Sequence, residues 1–167
     1  ERLGAVDVFE LRPRIGLSSV ALGERIPLRE RVLDVVLTAS YGMVGRWRER
    51  YDPADETRAN EVLHQMGAAH LRDRTYGTLS EGERKRTQIA RALMTDPSVV
   101  LLDEPSAALA PRMADEVFEK VAGLRSQGKA VVIVEQEAER ALAMSDRGYL
   151  LVDGRNAFED RADSILR

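Results

Sequence analysis

The chain has 167 residues, a formal net charge of −3 and no cysteine, with a pI near 5.6. That length can bury one good core, the acidic balance offers no broad cationic surface for a nucleic-acid backbone, and the missing thiols exclude disulfides, thiolate nucleophiles and Cys-based metal sites. No apolar run is long enough to span a bilayer and Glu1-Arg2-Leu3-Gly4 does not read as a signal peptide, so any membrane role is expected to come through a partner.

In residues 1–22, the run Arg14-Ile15-Gly16-Leu17-Ser18-Ser19 reads as a short strand. From 23 to 95 the pattern turns helical. Val32, Val35, Val36 and Ala39 share one face of a first helix, and Ala59, Val62, Leu63 and Met66 share one face of a second that starts near Asp55. Gly42, Gly45, Asp52 and Pro53 break the pattern between them. Trp47, set among Arg46, Arg48 and Arg50, reads as an exposed loop residue that touches a partner rather than a base-stacking platform. His64 and His70 lack an accompanying carboxylate cluster, which argues against a metal site there.

A further helix opens at Ser80. Ser80 followed by Glu83, ahead of Ile89, Ala90 and Leu93, has the form of a capping box. Gly82 lets a ligand approach the backbone, and the helix start supplies N–H donors and partial positive charge suited to an anion. Glu81 and Glu83 work the other way, because carboxylates suit the helix end but repel a bare phosphate. The run Arg84, Lys85 and Arg86 is expected to include solvent-facing helix positions, with one of the three reaching a neighbouring carboxylate.

Residues 96–167 alternate strand and helix. Strands are expected at 98–103, 130–135 and 148–152, and helices near 112–126 and 137–144. A turn at Asp153-Gly154 then leads to a short C-terminal helix. Helices of this length between strands argue for a parallel sheet. Val99-Val100-Leu101-Leu102 lacks alternation, which predicts a strand buried on both faces, and it ends in Asp103-Glu104-Pro105. An acidic pair at the carboxyl end of such a strand suits Asp103 to organising a hydrated Mg²⁺. It suits Glu104 to orienting an attacking water or taking its proton.

The segment Gly123 to Lys129 has the spacing of a phosphate loop, but Ala130 stands where the hydroxyl belongs. It also follows a helix and precedes a strand, the reverse of the required order. Gly128 is better read as a helix terminator in left-handed conformation. Nowhere in the 167 residues does a strand feed a G-x-x-x-x-G-K-S/T loop into a helix.

Leu79-Ser80-Glu81-Gly82-Glu83 resembles the family signature of ATP-binding cassette (ABC) ATPases, Val99 to Glu104 resembles their Walker B strand, and Arg86 to Leu93 matches the helix after the signature. The resemblance covers essentially the whole chain, beginning after the family's phosphate-loop helix. It implies an α/β fold: a truncated P-loop NTPase-like parallel sheet with an inserted α-helical subdomain. Residues 1–22 and 96–167 would form a partial nucleotide-binding core, and 23–95 the helical subdomain carrying the signature. It also implies ATP and Mg²⁺ as cofactors and a head-to-tail dimer with a second ABC ATPase unit. Ser80, Glu81, Gly82 and Glu83 would bind the cofactor across that interface, Asp103 would hold the metal, and Glu104 and Gln136 would be catalytic. The further expectations are a membrane permease partner, no direct nucleic-acid contact, and a place in the cytoplasm at the inner face of the membrane.

The pattern departs from the family at the Q-loop glutamine, near Ser19 or Val20, at the D-loop aspartate, where Ala110 stands, and at the switch histidine, where Gln136 stands. Gln can hydrogen-bond a γ-phosphate but cannot carry charge as imidazole does. Pro105-Ser106, Ala110-Pro111-Arg112 and Val132 to Gln136 look like the ATPases of branched-chain amino-acid importers. Residues 24–96, with Thr38 to Gly42 and Gly45-Arg46-Trp47, look more like another branch. Two other readings stand beside transport: a soluble cassette ATPase acting on nucleic acid or ribosomes, and a non-catalytic chain that offers only its signature face.

Overall fold

The computed structural model describes residues 7–166, so Glu1-Arg2-Leu3-Gly4 and the start of the 1–22 segment lie outside the described residues. The chain divides into two units, Glu1–Val134 and Glu135–Arg167. In the first, β1 (Ile15–Ser18), β2 (Val99–Asp103) and β3 (Ala130–Val134) form a parallel sheet in the order β1-β2-β3. Leu17 lies opposite Leu101, and Asp103 opposite Val134. Parallel pairing puts the carboxyl ends of all three strands at one rim.

Around the sheet run α1 (Val8–Leu11), α2 (Val20–Glu24), α3 (Val32–Leu37), α4 (Pro53–Gln65), α5 (Glu81–Ala92) and α6 (Pro111–Ser126). Ser19 caps α2 by accepting the Leu22 N–H at 3.2 Å. The periodic run after Val32 leaves α-geometry at Thr38, tightens into a 3₁₀ turn over Thr38–Tyr41 and stops at Gly42. Helix α4 begins at Pro53, two residues earlier than the sequence suggests, because Asp52 and Asp55 form a reciprocal capping box and proline suits the first helical position. Val32, Leu33, Val36, Leu63, Met66, Ile89 and Leu93 from α3, α4 and α5 with their flanks are fully buried. Gly16, opposite Val100, seats α5 on the sheet, since an added Cβ would run into the Ala92 carbonyl. Gly128 follows α6 with φ 78°, the left-handed terminator expected there.

One expectation about this sheet is overturned. Val100 and Leu102 are fully buried, but Val99 and Leu101 are half-exposed. The uninterrupted apolar run therefore does not mean full cover on both faces: β2 is completely buried on one face and only partly covered on the other.

The second unit holds α7 (Ala138–Ala143), β4 (Arg147–Val152), β5 (Arg155–Arg161) and α8 (Ala162–Ile165). Strands β4 and β5 pair antiparallel in a sheet of their own, with Tyr149 opposite Glu159. The expected helix directly after Asp153-Gly154 is thus corrected to a strand, with the helix following it. Asp153 and Gly154 both have positive φ, the two-residue hairpin geometry that folds the chain back on β4. The polar composition of Arg155 to Arg161 carries no strand signal of its own.

Candidate functional site

Helix α5 is opened by Ser80. Its Oγ accepts the Glu83 N–H at 3.4 Å and its hydroxyl donates to Glu83 Oε2 at 3.1 Å, while the Ser80 N–H donates to the same carboxylate oxygen at 2.8 Å. Arg74 pairs with the other oxygen of Glu83 at 3.2 Å. The Ser80 N–H, then the hydroxyl and the Arg74 charge, outweigh desolvation and hold the Glu83 carboxyl below the usual glutamate range. A carboxyl depressed by folding contributes stability that is complete above its unfolded pKa, about 4.3, and is lost as pH falls through the lower folded value. In urea titrations at pH 7 and pH 3, Glu83→Gln is therefore expected to narrow the gap between the two midpoints. An unchanged gap would remove Glu83 from the acid response.

Ser80 and Glu81 are exposed. Glu81 pairs with Arg84 at 3.0 Å, and the Arg84 guanidinium lies 5.7 Å from the centre of the Tyr76 ring. Tyr76, buried just ahead of the turn, accepts a hydrogen bond from Gln88 Nε2 at 2.7 Å. Gly82 is buried against α6, where an added Cβ would meet the end of the Met113 side chain. The turn thus keeps its serine outward while its glycine face is docked.

Asp103 ends β2, half-buried at the carboxyl rim of the sheet. Glu104 follows with φ 48°, a left-handed conformation that non-glycine residues seldom adopt. Its backbone is held at both ends. The N–H donates to the Val134 carbonyl at 2.9 Å, and the carbonyl accepts from the Ala107 N–H at 3.2 Å and from Lys85 Nζ at 2.8 Å. Lys85 is only 6% exposed. Within the Arg84 to Arg86 run, Lys85 is thus the inward member, while Arg84 makes the expected contact with a neighbouring carboxylate, Glu81. The signal was present in the spacing, because Lys85 lies four residues before Ile89 on the buried stripe of the helix.

Gln136 belongs to the second unit. It is exposed just ahead of α7, its N–H donating to Glu135 Oε2 at 3.2 Å and its carbonyl accepting the Ala138 N–H at 2.9 Å. Ala110 occupies the N-cap of α6 without a side-chain bond. Among the described residues no group of three or more His, Cys, Asp or Glu is placed to cage a metal. One carboxylate at a strand tip nevertheless fits Mg²⁺, which takes one or two protein oxygens and completes its shell with phosphate and water.

Away from these motifs, Trp47 stands 83% exposed on a well-anchored loop. Arg46 beside it pairs with buried Asp34, which also pairs with Arg31 at 2.9 Å, and Arg91 donates to the Met43 carbonyl at 2.6 Å. Burial, reinforced by the Glu49 charge, pushes the hydroxyl of Tyr51, over whose ring Arg46 lies, up to about 12. No helix among the described residues is long and apolar enough to cross a membrane.

The family described as ABC transporter matches residues 11–107. An uncharacterized ABC transporter ATP-binding protein of Bacillus subtilis, YlmA, is 33% identical over 149 residues, covering 87% of this chain and 55% of that protein. The high-affinity branched-chain amino acid transport ATP-binding protein BraG of Pseudomonas aeruginosa is 44% identical over 90 residues, covering 54% of this chain and 39% of that protein. The chain thus spans about half, or less, of these relatives. Among solved structures, the dimeric ATP-binding cassette MJ0796 in a post-hydrolysis state bound to ADP and Pi superimposes with a TM-score of 0.74 at 26% identity, covering 98% of this chain and 69% of that one.

Proposed function

This chain belongs to the ABC transporter family, and we propose that it supplies the signature and Walker B part of an ATP-hydrolysing subunit that drives a membrane permease. The observation that carries this reading is the pairing of an outward-facing Ser80 at the head of α5 with Asp103 and Glu104 at the carboxyl rim of a parallel sheet. The domain division goes with it: 1–22 and 96–167 as partial nucleotide-binding core, 23–95 as the helical subdomain. Placement at the inner face of the cell membrane follows from the permease partner. The likeness to BraG supports amino-acid import as the transport task.

Glu104 orients the attacking water and takes its proton. Its backbone clamp keeps the carboxylate at the strand tip, where the strand ends and solvent enters. Asp103 would hold Mg²⁺, which supplies charge neutralisation on the transferring phosphoryl group. Ser80, with the free N–H groups of the first turn of α5 and Gly82 beside them, serves the nucleotide of a second cassette arranged head-to-tail. For this the Ser80 hydroxyl must turn away from Glu83. Glu81 and Glu83 set the charge at that helix end. Gln136, by its place after β3, donates its amide to the γ-phosphate.

The test is nucleotide titration with MgATP. The 167-residue chain, which has no phosphate loop within it, is expected to bind more weakly than about 1 mM. Joining the phosphate-loop segment of a curated relative ahead of residue 1 is expected to bring saturable binding and turnover. Tight binding by the 167-residue chain, or none by the completed cassette, would overturn the assignment.

A further inference from the structure

We propose that Lys85 is a positioning residue that fixes the backbone of Glu104 and so ties the signature turn to the hydrolytic glutamate. This rests on the reading of Glu104 given above. A lysine almost never sits in a protein interior without a strong acceptor. Lys85 is buried to 6% exposure, and its ammonium donates at 2.8 Å to the backbone carbonyl of Glu104, whose φ is positive. A left-handed conformation at a glutamate disfavours itself by about 1 kcal/mol and persists only where its surroundings enforce it. Bonds from β3, from the Ala107 turn and from α5 enforce it here.

The bond from α5 is the one that connects two sites. Lys85 stands three residues after Gly82, on the same face of the helix, and Gly82 is docked on α6 at Met113. A shift or rotation of α5 when the Ser80 turn engages a nucleotide must therefore move Lys85 Nζ against the Glu104 carbonyl. The Lys85 side chain thus joins the turn that serves one nucleotide to the residue whose carboxylate serves another. An apolar residue in place of Lys85 leaves the helix and its packing intact but cuts that connection; arginine keeps a charged donor on a long stem.

Two measurements decide it. In the 167-residue chain, Lys85→Met is expected to speed amide exchange at Ala107, whose N–H shares the Glu104 carbonyl, by about tenfold while leaving Leu93 in α5 unchanged. In the completed cassette the same substitution is expected to lower kcat about tenfold or more with KM for ATP within about twofold, and Lys85→Arg to recover part of the loss. Unchanged exchange at Ala107, or faster exchange with unaltered kcat, overturns the proposal. A loss of Leu93 protection as well would make Lys85 a general packing residue and overturns it too. Glu104→Gln in the completed cassette separates the two claims: if that variant turns over ATP normally the functional reading fails, whereas the Ala107 result still reports whether Lys85 holds the turn.

Discussion

Glu104→Gln in a cassette completed with its phosphate loop is expected to lower ATP turnover by about 10²-fold to 10⁴-fold while MgATP binding is kept. The amide preserves the size of the side chain and leaves the backbone clamp from Val134, Ala107 and Lys85 in place, so the strand tip keeps its shape. What it removes is the carboxylate that accepts the proton of the attacking water. Steady-state phosphate release and equilibrium nucleotide binding measure the two sides separately. Equal loss of both would mean that Glu104 shapes the site rather than acts in it. In the 167-residue chain the same substitution is expected to leave phosphate release at its background value, since the cradle for the β- and γ-phosphates is not among these residues. Turnover there that vanishes with Glu104→Gln would show that the cradle is dispensable.

The second large effect is on stability. Tyr76→Ala is expected to destabilise the first unit by about 3–5 kcal/mol, read as a fall in the urea midpoint followed by circular dichroism. Tyr76 is 2% exposed, its ring lies beneath Arg84, its hydroxyl accepts from the Gln88 amide, and its backbone N–H donates to the Glu30 carbonyl at 2.8 Å. Deleting the ring leaves a cavity in the wall behind the Ser80 turn and strands the Gln88 amide without its acceptor. Tyr76→Phe keeps the ring and removes only that acceptor, so its expected effect is about 1 kcal/mol. If Ala and Phe lower the midpoint alike, the hydroxyl and not the ring is what matters.

What could be read from the residues and what could not divide along physical lines. The Ser80 and Glu83 pairing, the strand ending in Asp103 and the left-handed Gly128 were all legible, because each is a local rule satisfied within a few residues. The hairpin partner β5 was missed because its pairing is specified by the two-residue turn at Asp153-Gly154 and not by its own polar composition. Full burial of Val99 and Leu101 was wrongly expected because strand composition does not say how many layers surround a sheet. For Lys85, residue type and position point in opposite directions. Charge argues for solvent, but the 3.6-residue period puts that site inward, and the Glu104 carbonyl that makes burial tolerable is 19 residues away in the chain. Arg31 and Asp34 are a local i,i+3 pair, but neither Arg46 with Asp34 nor Gln88 with Tyr76 left a sequence signal, since both depend on how loops return to the helices.

Among the described residues β3 is an edge strand of the first unit's sheet, and along the less covered side of that sheet Ile15, Leu17, Val132 and Val134 are 41–48% exposed. Such a flank is adhesive: an aliphatic ribbon beside a row of backbone donors and acceptors is a template for another extended segment. Concentrated preparations of the 167-residue chain are therefore expected to self-associate through this flank. A chaperone or a complementary strand that shields it would act as a solubiliser without touching either motif.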